Sequence, residues 1–215
     1  SRLPAWVRRA FLDALVAQVT THRAALGDLI AREAGKPITL ALAEVDRART
    51  AFQLSAEACS SPEGELLSLD RGAPSAHSLG ACVRVPVGPV LAITPFNFPL
   101  NLVAHKLGPA FAVGAPVVLK PAPQCPLTAM MLADLVAAAC DAVPDVPKGI
   151  LSVLPCANDV AESMVRDPRL AALSFTGSAS VGWSLRDLAG RKRVLLELGG
   201  NAAAIVARDA DLDLT

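Results

Sequence analysis

The sequence has no surplus of either charge: twenty lysines and arginines balance twenty aspartates and glutamates. That balance leaves no electrostatic footprint for nucleic acid or an anionic membrane surface, so neither is expected as a partner. Histidine is scarce. His22, His77 and His105 lie far apart, with no cysteine or acidic cluster at ligand spacing, which argues against a metal site. Cys59, Cys82, Cys125, Cys140 and Cys156 follow no pairing rhythm. An odd count without a signal peptide favours reduced thiols and a cytoplasmic location. Long apolar runs are also missing: the stretches 111–119 and 130–140 are too short, or are broken by Gly, Pro and Asp134, so no membrane span is expected. There is no internal repeat, no low-complexity tract and no Gly-x-Gly-x-x-Gly fingerprint. A nucleotide, if bound, must be held in another way.

What is present is ample core. A chain of 215 residues can form one large domain, or one domain with an appendage, and 53% of it is hydrophobic. Much of that share is alanine, but its size hints at surface covered by something else. The sequence opens Ser-Arg-Leu-Pro and stops in the acidic stretch 209–215, so it is expected to be part of a longer protein.

Residues 4 to about 60 read as helices. Trp6, Val7, Ala10, Phe11, Ala14 and Leu15 recur at three and four, Thr21 can cap a second helix, and Pro37 can start a third. In that third helix Ile38, Ala41, Val45, Ala48 and Phe52 form an apolar face, and Glu44, Asp46, Arg47 and Arg49 read as a solvated one. The stretch 60–80, rich in Gly, Pro and Ser, reads as an exposed loop, followed by a separate strand over 81–87. From residue 89 strands and helices alternate: strands at 90–93, 116–120, 150–154, 171–175 and 193–197, with helices at about 99–113, 126–141, 158–166 and 179–189. Pro99 is placed to begin the first of these helices. Such alternation predicts an α/β fold with a parallel sheet and right-handed crossovers.

Four strand ends carry chemistry. After Val90–Ile93 come Thr94-Pro95-Phe96-Asn97-Phe98-Pro99. Asn97 is either a turn former between prolines or an amide donor to a developing oxyanion, and local residues do not choose. Lys120 leaves the second strand either as a solvated terminus or as a ribose or phosphate contact. The Thr176-Gly177-Ser178 turn precedes a helix that Ser178 can cap, leaving free N–H groups for a pyrophosphate. Glu197 ends the last apolar run before Gly199-Gly200, either reaching water or held in a cleft suited to general-base work. All four leave the sheet at one edge, where open α/β sheets bind ligands.

These motifs resemble the aldehyde dehydrogenase superfamily along essentially the whole chain. Ile93 to Pro99, Val118-Leu119-Lys120-Pro121-Ala122, Ser174-Phe175-Thr176-Gly177-Ser178 with Gly182, and Leu196-Glu197-Leu198-Gly199-Gly200 occur in the family's order and approximate spacing. Glu33-Ala34-Gly35-Lys36-Pro37 resembles its N-terminal helical region, and 81–88 the start of its oligomerisation hairpin. The resemblance implies a Rossmann-like sheet with helices on both faces, an N-terminal helical layer and a displaced strand. It divides the chain into a helical part (1–67), a loop with the oligomerisation-type strand (68–88) and a dinucleotide-binding core (89–215).

It also implies the oxidation of an aldehyde with NAD or NADP through a cysteine thioester, usually in a homo-oligomer. Asn97 would stabilise the oxyanion and Glu197 would activate the hydrolytic water. Ile93, Thr94, Pro95 and Phe96 would line the nicotinamide and phosphate channel, and Lys120 would hold the adenosine ribose. Ala122, Pro123, Gly149, Gly177, Ser178, Val181, Gly182, Leu198 and Gly199 would complete the cofactor site.

Two departures qualify the match. Pro123 stands where members preferring NAD often carry Glu, so rejection of a 2′-phosphate is weaker and NADP is admissible beside NAD. The family's nucleophilic cysteine falls a few dozen residues after the glutamate, beyond Thr215. Cys125, beside Pro126, reads as a structural thiol. The resemblance leaves three alternatives: an acylating enzyme passing the acyl group to coenzyme A or phosphate, against which Glu197 argues; a fragment that binds cofactor without turnover; and a non-catalytic scaffold.

Overall fold

The computed structural model describes residues 3–60 and 64–211. The N-terminal layer consists of α1 (Ala5–Thr21), α2 (Arg23–Ala34) and α3 (Ile38–Ala58). Val7, Phe11, Leu12 and Leu15 of α1, Leu26 and Ile30 of α2, and Ala41, Val45, Ala48 and Phe52 of α3 are buried, as the helical period requires. Trp6 and Ile38, expected on those apolar faces, are instead exposed. Nor does Thr21 cap α2. Its N-cap is His22, without a side-chain cap bond. Gly35, at φ 63°, closes α2 in the left-handed conformation that glycine adopts without penalty. Glu44, expected on a solvated face, is fully buried.

The stretch expected to be a loop contains a strand, β1 (Gly64–Ser68), which pairs antiparallel with β2 (Leu79–Val83). The displaced strand therefore forms earlier than the predicted 81–87 and is part of a two-stranded hairpin. Both strands are largely exposed, so no buried alternation marks β1 in the sequence. Residues 61–63 of the predicted loop and 212–215 of the acidic stretch lie outside the described residues.

The parallel sheet forms as expected. Its strands are β3 (Val90–Ile93), β4 (Val117–Lys120), β5 (Leu151–Val153), β6 (Ala172–Gly177) and β7 (Arg193–Leu198), in the order β5-β4-β3-β6-β7. β3 runs parallel to both its neighbours, and because β4 and β5 lie on one side of it and β6 and β7 on the other, the order of connection switches side at β3. The crossovers are α4 (Asn101–Ala112), α5 (Pro126–Ala142), α6 (Asn158–Arg166) and α7 (Ala179–Leu188). Pro99 does not begin α4, whose first residue is Asn101, and α4 runs unbroken through Pro109.

Side chains alternate between the two faces of the sheet. Ala92, Val117 and Leu119 join α4, α5 and the N-terminal layer in one core, where the Phe11 and Phe111 rings meet edge to face at 5.4 Å. Leu91, Ile93, Leu173 and Phe175 form the other with Ala161 and Val165 of α6 and Leu185 of α7. The predicted arrangement of helices on both faces is therefore the observed one.

Candidate cofactor site

The register sets the site. Ile93 pairs with Lys120 on one side and with Phe175 on the other, so three strands end at one level. A cleft of about 630 Å³ opens over these ends. Ile93, Thr94, Pro95 and Phe96 form one wall, Lys120, Ala122 and Pro123 a second, and Thr176, Gly177, Ser178 and Val181 a third. Sequence motifs from Ile93 to Val181 thus converge, because parallel strands deliver their carboxyl ends to a common edge.

Lys120 is buried to 2% exposure, which rules out the solvated-terminus reading. Burial pushes its ammonium pKa down, and the neighbouring Cys156 opposes that shift. The ammonium donates to Asn158 Oδ1 at 2.9 Å, so the first residue of α6 aims the lysine at the cleft. Ser178 is the N-cap of α7, but its side chain makes no cap bond; its Oγ lies 3.4 Å from Ser180 Oγ. The expected hydroxyl cap is absent, and the terminal N–H groups of α7 keep their capacity for an outside acceptor. Gly177 and Gly182 allow close packing there. A Cβ on Gly177 would meet the Phe175 ring at 2.6 Å, and one on Gly182 would meet Leu198 Cδ2 at 2.4 Å.

Other predicted residues fall elsewhere. Gly149 precedes β5 and lines a small cavity of about 140 Å³ with Cys140, Asp141 and Lys148, away from the cleft. A glycine before a strand stands at the amino edge of the sheet, opposite the ligand edge. Leu198 packs against the second core beside Gly182, and Gly199 is exposed after β7. Neither lines the cleft.

Asn97 and Glu197 lie outside that cleft too, at the same sheet edge. Asn97 is exposed in the turn between β3 and α4, and its carbonyl accepts a bond from Lys36 Nζ at 2.8 Å. Glu197 is exposed and accepts a hydrogen bond from Thr176 Oγ1 at 3.2 Å. It stands at a strand terminus open to water. On the α4 face of the sheet, Lys106 is 8% exposed and donates to Ser174 Oγ at 2.9 Å. Burial pushes its pKa down while the Glu197 carboxylate pulls it up. The Asn101 side-chain oxygen is buried without a hydrogen-bond partner among the described residues.

Sequence reasoning missed Lys106, Asn158, Lys36 and Glu44. The one local signal for Lys106 is that it and His105 are the polar residues in the stretch from Leu102 to Phe111. Asn158 at a predicted helix start reads as an ordinary cap. No group of three potential metal ligands occurs among the described residues.

An open parallel α/β sheet with a buried lysine and a helix N-terminus free of a side-chain cap at its carboxyl edge has the architecture of the nucleotide-binding folds. The known proteins make the assignment more specific. A profile of the aldehyde dehydrogenase family matches residues 1–215, and the chain belongs to that family. It is 44% identical over 187 residues to 3-sulfolactaldehyde dehydrogenase of Priestia aryabhattai, covering 86% of this chain and 38% of that protein. Among solved structures, aldehyde dehydrogenase 21 of Physcomitrella patens, in complex with succinate, superposes with a TM-score of 0.88 at 40% identity, covering 94% of this chain and 41% of that one. Glyceraldehyde-3-phosphate dehydrogenase GapN of Methanocaldococcus jannaschii, complexed with NADP, gives a TM-score of 0.85 at 36% identity, covering 93% and 42%. The chain thus spans about two fifths of the length of these relatives.

Proposed function

We propose that this chain is the cofactor-binding portion of an aldehyde dehydrogenase that oxidises an aldehyde to a carboxylic acid with NAD or NADP. The observation that carries this reading is the buried Lys120 facing, across one cleft, the uncapped N-terminus of α7. A dinucleotide offers complementary groups to both: ribose hydroxyls for the ammonium and a pyrophosphate for the helix N–H groups.

A bound nicotinamide supplies the hydride acceptor. The chain's own residues do the rest of the work assigned to this portion. Lys120, steadied by Asn158, orients the ribose, and the start of α7 holds the pyrophosphate. Phe96 and Pro95 shape the channel toward the nicotinamide. The Asn97 amide donates to the oxygen that gains charge when a thiolate attacks the aldehyde, and Glu197 takes a proton from the water that releases the acid.

The nucleophile itself belongs to sequence outside these 215 residues. Cys125 does not replace it: its thiol is buried, its sulfur lies 3.8 Å from the Glu33 carbonyl, and burial pushes its pKa up, with Glu33 and Glu44 adding to the rise. We therefore expect residues 1–215 alone to bind cofactor without turnover. The division into helical part, hairpin segment and core keeps its boundary at 88/89, but the expected one at 67/68 moves ahead of Gly64, because β1 pairs with β2. This division, a cytoplasmic location and a homo-oligomer joined through the exposed β1–β2 hairpin belong to the same proposal.

The test is a calorimetric titration of the chain with NAD and with NADP, repeated for Lys120→Ala and Ser178→Ala. Saturable binding weakened by Lys120→Ala supports the reading. A folded chain that binds neither nucleotide removes it.

A further inference from the structure

We propose that Lys36 and Glu44, two side chains of the N-terminal helical layer, are positioning residues for the Asn97 turn. This rests on the reading of Asn97 as the oxyanion donor. Glu44 is fully buried on α3. Its Oε1 accepts the backbone N–H groups of Leu100, at 2.9 Å, and Asn101, at 3.1 Å, at the start of α4. Those donors have no partner within the helix, and α4 has no side-chain cap of its own.

The other carboxylate oxygen, Oε2, takes Lys36 Nζ at 2.5 Å. The same ammonium donates to the Asn97 carbonyl and lies 4.2 Å from the centroid of the Phe98 ring. A short turn is thus gripped at Asn97, Phe98, Leu100 and Asn101 by groups more than fifty residues away in sequence. A serine or aspartate at the turn could have capped α4 locally. The remote pair does something a local cap does not: it fixes the carbonyl of Asn97 itself, and with it the peptide plane from which the side-chain amide departs. A buried carboxylate is stable in such a place only when its charge is matched, which ties the two residues into one device.

A donor displaced by about 1 Å loses on the order of 100-fold in rate. In the complete enzyme, Lys36→Met is therefore expected to lower kcat by roughly 10- to 100-fold while the nucleotide Kd stays within about twofold. Lys36→Arg, which keeps the charge and the donors, should restore most of the loss. In an Asn97→Ala background Lys36→Met should cost less than about twofold more, because the group it positions is gone. A second arm needs no catalysis: backbone hydrogen exchange at Leu100 and Asn101 should quicken at least about tenfold in Lys36→Met, with β3 and β6 unchanged. The proposal is overturned by full additivity of Lys36→Met with Asn97→Ala, by nucleotide affinity falling as far as rate, or by exchange at Leu100 and Asn101 that is unchanged or faster everywhere. Failure of the wild-type chain to bind NAD or NADP removes the proposed function instead, and the exchange arm still decides whether the pair grips the turn.

Discussion

Lys106 on α4 donates to Ser174 on β6 at 2.9 Å, placing a buried ammonium on the sheet face opposite the cofactor cleft and within electrostatic reach of Glu197. Burial lowers its pKa below the ordinary 10.5, against the pull of Glu197. The unfolded chain therefore holds this proton more tightly than the folded one. The charge costs stability at every pH below the folded value, and the cost fades as pH rises from there toward 10.5. Lys106→Met keeps most of the volume and removes the titration. Denaturant unfolding of both proteins from pH 7 to 10.5 should show the wild type gaining on the variant as pH rises. A difference that stays constant across the range excludes this account.

The Lys120 to Asn158 bond gives a second prediction. Lys120→Met removes a charged donor from the cleft and leaves Asn158 Oδ1 without it. A hydrogen bond to a charged group contributes about 1.5–3 kcal/mol, so nucleotide Kd should rise roughly 10- to 100-fold. Asn158→Ala leaves the ammonium in place but unsteadied, and its effect on Kd should be smaller. Titration of both variants checks the order; an Asn158→Ala effect as large as that of Lys120→Met would mean that Asn158 contacts the nucleotide itself.

The features legible in the sequence are those governed by local period and punctuation. The five parallel strands and four crossover helices follow from short apolar runs ending in polar turns, and their boundaries shift by only one or two residues. Convergence of Ile93, Lys120 and Phe175 follows once the strands are known to be parallel. What stayed hidden depends on partners remote in sequence. Glu44 reads as solvent-facing because its neighbours Asp46, Arg47 and Arg49 are polar; only the approach of Leu100 and Lys36 makes its burial tolerable. Ser178 has the identity and position of a capping residue yet makes no cap bond, a matter of side-chain direction that composition does not encode. β1 escaped notice because neither of its faces is buried.

Gly108 offers a packing prediction. A Cβ there would lie 2.4 Å from Ser55 Oγ and 3.2 Å from Ser55 Cβ, where α4 crosses α3. Ser55 Oγ cannot swing away without losing its bond to the Ala51 carbonyl at 2.7 Å. Gly108→Ala should therefore destabilise the chain by about 1–3 kcal/mol through overpacking, despite alanine's better helix propensity. Ser55→Ala removes the nearest clashing atom, so the double variant should recover part of the loss. Unfolding free energies of the two single variants and the double variant decide it, and strict additivity would show that the two positions do not meet.

The N-terminal layer also holds the segment that follows Lys120. Glu33, near the end of α2, accepts bonds at the start of α5 from the backbone N–H groups of Leu127 and Thr128, the latter at 2.9 Å, and from Thr128 Oγ1 at 2.5 Å. The residue at the N-cap, Cys125, supplies no side-chain cap of its own. A carboxylate there satisfies orphan donors and complements the positive end of the helix. Glu33→Ala should cost about 1–2 kcal/mol, as loss of a good cap does, with Tm falling by roughly 2–8 °C in a domain of this size. Glu33→Gln keeps one of the two accepting oxygens and should lose less than Glu33→Ala. Because α5 anchors the turn 121–124 that leads from Lys120, Glu33→Ala should also weaken nucleotide binding by a few fold. Thermal unfolding paired with titration separates the two effects: a Glu33→Gln loss equal to that of Glu33→Ala would mean that a single accepting oxygen does not cap α5 and the full carboxylate is required.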